Sequence, residues 1–239
     1  MEQMRNRELV SLRKELKYIV PFKKAIIIKS RLDNLLPRDD HCFDGAYSVR
    51  SLYFESINNI DFSEKFAGVD VRKKIRARIY NSDPSTCKLE LKQKHGDRQQ
   101  KHSFIISEND VTDLSLGNYN VLKSYFGSAE ASKKIYGILA QGRYKPVVQI
   151  EYDRFAYRYP MYDTRITLDM NIRSCETNMD IFASKINYIP IMRENAVLEV
   201  KYSGKLMGFI SDMLTQFDLT QSSYSKYCLG RKIYYDFNY

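Results

Sequence analysis

Apolar positions recur along this chain at two periods, and the switches between them outline its elements. Residues 12–20 alternate as a strand does and then meet Pro21. Residues 22–36 place Ile26, Ile27 and Leu35 at helical spacing, and Pro37 stops that helix. Residues 47–55, rich in Val, Tyr and Phe, predict a strand, followed by a polar helix over 58–66 that Gly68 ends. Three alternating runs follow at 71–80, 86–94 and 101–106. Ser107, with Asp110 three residues on, opens a helical stretch that continues in pieces to about Ala140, with Gly117, Gly127 and Gly137 as breaks. Strands return at 147–159, 164–173 and 196–203, and helices over 206–217 and 224–233 finish the chain.

About eight strands joined by short links are mostly antiparallel, so an α+β fold is expected. The natural solution is a closed or nearly closed barrel of eight strands with helices around it, whose interior is just wide enough for side chains or one small ligand. Without an internal repeat, linker or low-complexity stretch, residues 1–239 read as a single domain with its core at about 13–231.

Composition narrows the picture. Charged residues make 28% of the chain and hydrophobic residues 44%, globular proportions that exclude a disordered tail or a collagen. Cys42, Cys87, Cys175 and Cys228 are far apart, and His41, His95 and His102 fall outside zinc-finger spacing, so no structural zinc or disulfide framework is expected. No long apolar run occurs, which argues against direct membrane insertion, and the charged start at Met1 lacks an export signal, so a cytoplasmic location is expected.

The net charge of +9 points to an acidic partner. Splitting each strand by alternation shows where the charge lies. Over 71–80 one face carries Val71, Lys73, Ile75, Ala77 and Ile79, and the other Arg72, Lys74, Arg76, Arg78 and Tyr80. Over 164–173 the split is Ile166, Leu168, Met170 and Ile172 against Arg165, Thr167, Asp169, Asn171 and Arg173. Cys87, Leu89 and Leu91 oppose Lys88, Glu90, Lys92 and Lys94, while Leu198 and Val200 oppose Glu199 and Lys201. Polar strand faces ordinarily meet solvent, but such faces mix signs, whereas these concentrate cations. Turned inward they repel one another unless an anion neutralises them, which implies a polyanionic ligand held by Arg forks and Lys point charges. Glu199 among them suits a divalent metal that accompanies triphosphates. Arg154 shares a face with Val148, Ile150 and Tyr152, so a bulge before it is needed to place it with the inward set. Arg50 is equally ambiguous beside Leu52 and Phe54.

Eight motifs then occur in one order: Glu15-Leu16-Lys17-Tyr18, Arg50-Ser51-Leu52-Tyr53-Phe54, Arg76-Ala77-Arg78, Glu90-Leu91-Lys92, Glu151-Tyr152-Asp153-Arg154, Arg165-Ile166-Thr167-Leu168-Asp169, Leu198-Glu199-Val200-Lys201 and Tyr224-Ser225-Lys226-Tyr227. In that order the chain resembles the VTC domain, the polyphosphate-polymerase module of the vacuolar transporter chaperone complex and its bacterial relatives. The wider group is the triphosphate tunnel metalloenzymes. The resemblance implies ATP-dependent growth of a polyphosphate chain in a cationic tunnel, with Mn²⁺ or Mg²⁺ as cofactor. It marks Lys17, Lys65, Arg76, Arg78, Lys92, Arg154 and Arg165 as phosphate-binding cations, with Lys201 a further candidate. Glu199 matches the metal-binding glutamate, and Ser225 and Lys226 match the pair that reaches the phosphate from a C-terminal helix at one tunnel mouth. Phosphate, pyrophosphate or polyphosphate are the implied partners, with a membrane-protein partner for the product.

Two departures bear on activity. Arg13 stands where hydrolases of the wider group carry the first of two glutamates, which weighs against a tripolyphosphatase or nucleoside triphosphatase. Ser223 stands where eukaryotic polymerases carry a lysine, which leaves room for a non-catalytic polyphosphate- or nucleotide-binding module. Nucleic-acid binding is not expected, since the 19 tyrosines are accounted for by core packing and no RNA-binding signature occurs.

Overall fold

A computed structural model describes residues 13–40, 42, 45–96 and 98–236. The predicted strand start at Leu12 and the residues Met1 and His41 lie outside the described residues, as does the side chain of Arg13.

The chain opens with strand β1 (Arg13–Pro21) and helix α1 (Phe22–Leu35), which stops where Leu36 turns extended ahead of Pro37. The buried stripe of α1 is Ala25, Ile28 and Leu32. Ile26, Ile27 and Leu35, expected as its core positions, are about half exposed, because the helix carries apolar residues on two sides and packing selects one. Next come β2 (Tyr47–Glu55) and α2 (Ile60–Phe66). The buried Glu55 side chain accepts the Asp61 and Phe62 backbone N–H groups and so caps α2 from the strand before it. Gly68, at φ +73°, ends this helix in the left-handed region as expected.

β3 (Val71–Tyr80) and β4 (Asp83–His95) form a hairpin through Asn81 and Ser82, both at positive φ, the tight turn whose twist suits antiparallel strands. β5 (Arg98–Ile105) follows. α3 (Glu108–Ser115) is capped by the Ser107 side chain, which accepts the Asp110 N–H at 3.2 Å. A 3₁₀ segment (Tyr119–Tyr125) leads to α4 (Glu130–Gly142). Gly117 breaks the stretch at φ +91°, but Gly137 sits inside α4, where helical backbone needs no glycine and tolerates one. β6 (Lys145–Tyr159), β7 (Thr164–Cys175), the two-residue β8 (Ile189–Pro190), β9 (Asn195–Ser203), α5 (Gly208–Thr215) and α6 (Lys226–Asp236) complete the chain.

The strands pair antiparallel in the order β1-β9-β7-β6-β2-β3-β4-β5, with β8 beside β7. The sheet curls so that its two edges face each other across a seam, where the linker before α6 bridges to β1 (Ser222 N–H to Lys17 O, 2.8 Å). Two apolar clusters lie outside the curl, one under α3 and α4 against β3 and β4, the other under α1 and α5 against β7 and β9. A third fills one end of the interior, where Val148, Ile150 and Tyr227 meet. The cationic strand faces are therefore turned inward, because helices cover the apolar ones.

The bulge falls on β7. Between the pairs Glu151–Arg173 and Asp153–Met170, β7 has one residue more than β6, and Asn171 takes it up at φ +52°. The expected face split of β7 therefore breaks at Asn171. Ile172 turns into the interior cluster, and Arg173 turns outward to Glu151 at 2.5 Å. β6 itself needs no bulge. Arg154 lies on the inner face with Val148, Ile150 and Tyr152, whose apolar end is covered by α6. Arg50 faces outward and donates to Glu151 at 2.6 Å and to the Ile181 and Ala183 carbonyls.

Candidate functional site

The curl encloses a cavity of about 290 Å³ lined by cations from β1, β3, β4, β6, β9, α2 and α6. Of the candidate residues, Lys17, Lys65, Arg76, Arg78, Lys92, Arg154, Glu199, Lys201, Ser225 and Lys226 all line it. Period-two geometry delivers them: direct cross-strand partners share a face, so Lys17 stands opposite Glu199 and Arg76 opposite Glu90.

Arg165 is the exception. It lies on the inner face of β7 opposite Lys201, but its guanidinium reaches away to Asp39 at 2.8 Å and the Tyr47 hydroxyl at 3.1 Å. These contacts hold it at the end of the bore away from α6. Lys73, assigned by alternation to the apolar face, also lines the cavity, while its ammonium pairs with the buried Asp61 at 2.9 Å.

Besides Asp61 and Glu15, the carboxylates of Asp169, Glu90 and Glu199 hold cations of the bore in place. Asp169 takes a bidentate pair from Arg154 (2.6 and 2.8 Å) and a second ion pair from Lys226 (2.6 Å). Burial alone disfavours its charge, but these two cations outweigh that and bring its pKa to about 2. Glu90 takes Arg76 at 2.7 Å and also Lys101, and despite burial these and Arg78 hold its carboxyl well below the ordinary range. Glu199 takes Lys201 at 2.7 Å and Lys17 at 3.3 Å, with the same result.

Cations left without enough counter-charge shift the other way. Lys92 has only Glu15 at 3.4 Å, and burial, helped by Lys201 and Lys17, lowers it to about 7. Burial, with Lys17 and Lys65 adding to it, lowers Lys74 to about 8. Tyr53, which accepts a hydrogen bond from Arg76 at 3.1 Å, falls to about 8, because Arg76, Arg78 and Lys74 outweigh its burial. The bore thus stores positive potential aimed at an anion.

Among the described residues Glu15 and Glu199 could hold a divalent cation. Glu15 and Glu199 share Lys17, at 2.7 and 3.3 Å, and stand within hydrogen-bonding reach of each other across β1 and β9. Among the described residues no set of three or more His, Cys, Asp or Glu side chains converges to hold a metal. Two carboxylates fit Mg²⁺ or Mn²⁺, which complete their shells with phosphate oxygens and water, better than they fit zinc.

Several participants were not singled out from sequence. Glu90 and Asp169 were visible as lone carboxylates on cationic faces, and Glu15 as the retained glutamate of the first-strand motif. Tyr53, Tyr152, Tyr224 and Tyr227, assigned to core packing, do pack in the third apolar cluster and also line the cavity. Lys226 lies 4.8 Å from the Tyr152 ring centre, a contact that alternation within one strand cannot reveal.

The VTC domain family model matches residues 12–235. No curated protein matches the chain. Among solved structures it is similar to a putative adenylyl cyclase from Hippeastrum described as having a dominant triphosphatase activity, at 14% identity and TM-score 0.54, covering 91% of this chain and 94% of that one. It is also similar to a putative adenylate cyclase from Bacillus halodurans, at 13% identity and TM-score 0.56, covering 91% and 95%. These likenesses establish the shared tunnel fold. Among the described residues no helix is long and apolar enough to cross a membrane.

Proposed function

The chain belongs to the VTC domain family, and from that premise we propose that it is an ATP-dependent polyphosphate polymerase that extends a phosphate chain inside the bore. The observation that carries the reading is the inward cationic face of β3, with Arg76 and Arg78 lining a cavity of about 290 Å³, a volume suited to a chain of phosphates and not to a duplex.

The residues act by position and charge. Arg78, buried and held by Ser51 at 3.0 Å, presents its remaining donors to phosphate oxygens, and Arg76 and Lys92 flank it. They would align the γ-phosphoryl group with the terminal oxygen of the acceptor chain. The bond from the γ-phosphorus to the bridging oxygen breaks, a bond to the acceptor oxygen forms, and ADP leaves with the electron pair. The reaction needs no protein nucleophile, and preorganised charge lowers its barrier. Mg²⁺ or Mn²⁺ on Glu199 and Glu15, when bound, supplies further neutralisation of phosphate charge. Ser225 and Lys226 guard the α6 end, where the chain would pass. A cytoplasmic setting and a membrane-protein acceptor for the product belong to this proposal; nucleic acid does not.

One observation favours a second reading. With Glu15 beside Glu199, two carboxylates remain despite Arg13, enough for a tunnel-type tripolyphosphatase or nucleoside triphosphatase. Incubation with ATP, Mn²⁺ and pyrophosphate separates the two. The polymerase yields polyphosphate and ADP. ADP and orthophosphate alone would overturn it in favour of hydrolysis, and tight binding without turnover would leave a phosphate-binding module.

A further inference from the structure

Lys74, like Lys65 and Lys94 of the same bore, has no carboxylate partner among the described residues, and its role rests on the reading of that bore as a phosphate site. Lys17, Lys73, Lys92, Lys201 and Lys226 each have a carboxylate within 3.4 Å. Lys74, half-buried on β3, has none among the described residues. Its ammonium donates one hydrogen bond, to Ser225 Oγ at 2.7 Å, and lies 5.3 Å from the Tyr227 ring centre. An ammonium has three donors, so the others are free for the cavity that Lys74 lines.

Its surroundings are cationic or weakly acidic on every side. Lys92 is its direct partner on β4, Lys17 faces it from β1 and Lys65 from α2. Tyr53 of β2 and Tyr227 and Cys228 of α6 also face it, and Glu15 of β1 stands behind Lys17 and Lys92, which it pairs at 2.7 and 3.4 Å. Burial and these lysines bring Lys74 to about 8, so near pH 8 about half of it is neutral, with Ser225 then donating to the bare amine. A phosphate chain reverses both effects, because its oxygens accept from the free donors and screen the neighbouring lysines.

We infer that Lys74 is a phosphate-recognition residue of the bore, and that seating the chain takes up a proton from solvent on its amine, which couples occupancy to pH. The proton adds to the nitrogen lone pair, no other bond changes, and Ser225 returns to accepting.

Calorimetric titration with tripolyphosphate, without metal, tests this on the full chain. Lys74→Arg keeps the charge at every pH and serves as the reference, which cancels titration of the ligand and of Lys92. From about pH 7 to about pH 9 wild-type affinity should fall about ten-fold more than that of K74R, the change expected for one group titrating near 8. Lys74→Met should bind about ten-fold or more weakly at neutral pH, the loss of one charge-assisted contact. Near pH 8 wild type should also take up about half a proton more per ligand than K74M, which decides the matter if the bulkier arginine blocks binding. Identical pH profiles for wild type and K74R, or wild-type affinity in K74M, would overturn the role of Lys74 while leaving the phosphate site standing. Absence of tripolyphosphate binding by wild type would overturn both.

Discussion

Lys226 of α6 and Asp169 of β7 form a buried ion pair of 2.6 Å, and Asp169 also takes the Arg154 guanidinium in a bidentate pair. One fully buried carboxylate thus stands in for an anion between two cations of the bore and fastens the C-terminal helix to the sheet. Asp169→Asn keeps the shape but leaves both cations uncompensated, a change that costs about 3 kcal/mol in buried pairs. The expected outcome is a lower midpoint in urea denaturation, partly restored by saturating tripolyphosphate, which replaces the missing charge. An unchanged midpoint would show that the pair contributes nothing net.

Glu199→Gln tests the division between holding a metal and holding phosphate. The carboxylate is paired with Lys201 and Lys17, so the amide removes a metal donor while releasing two cations for the anion. Turnover with ATP and Mn²⁺ should fall at least about a hundred-fold, the scale lost when one preorganised electrostatic contributor is removed. Metal-free affinity for tripolyphosphate should hold or improve. Loss of both would point to a structural role for Glu199.

Arg78 and Arg165 look equivalent as motif members, yet the structure separates them. Arg78 lines the cavity with no carboxylate paired to it among the described residues, held by Ser51 and the Tyr152 hydroxyl. Arg165 is engaged by Asp39 and Tyr47. Arg78→Ala should weaken tripolyphosphate binding by roughly 10- to 100-fold, the worth of a charged hydrogen bond. Arg165→Ala should change it less than about three-fold, since a pair with Asp39 must first be given up. Comparable losses in the two variants would mean that Arg165 leaves Asp39 when the chain enters.

What was legible in the sequence follows from which interactions are local. The inward face of β3 could be read from Arg72 to Tyr80 because alternation is fixed by the backbone. The buried stripe of α1 could not, because Ile26 and Ile27 compete with Ala25 and Ile28, and only the facing strands choose between them. A bulge adds one residue without a marker beyond the tolerance of Asn171 for the left-handed region, so Ile172 and Arg173 exchange sides unannounced. The resemblance named the cations of the site, whereas their pairing depends on contacts such as Asp169 with Lys226, 57 residues apart in sequence.

The crowded cations of the bore make stability depend on pH in an unusual direction. Lys92 and Lys74 are lowered on folding, to about 7 and about 8, and the Tyr53 hydroxyl is also lowered to about 8. Between these values and their ordinary ones near 10, the unfolded chain binds more protons than the folded one, so stability rises with pH there. The urea midpoint should climb from about pH 7 to about pH 9, and tripolyphosphate should flatten the climb by keeping the lysines charged. A midpoint falling steadily over that range would rule out the crowded, uncompensated cations.

Gly230 tests how closely α6 must seat. A Cβ at this position meets Ile150 Cδ1, Ser174 Cβ at 3.3 Å and Val148 Cγ2 at 3.4 Å, so α6 lies directly on the apolar end of the inner face. The Ile150 end can rotate, but the Ser174 Cβ cannot, and β6 and β7 sit in the middle of the sheet. Gly230→Ala therefore displaces the helix, a strain of about 1 to 3 kcal/mol set against the modest gain of alanine in a helix. Because Lys226 opens that helix and Ser225 directly precedes it, the displacement moves two residues proposed to contact phosphate while leaving Arg76 and Arg78 in place. The expected result is a raised KM for the phosphate acceptor, with affinity for tripolyphosphate in the middle of the bore changed much less. If KM is unaltered and only stability falls, α6 is a packing element and the passage of the chain lies elsewhere.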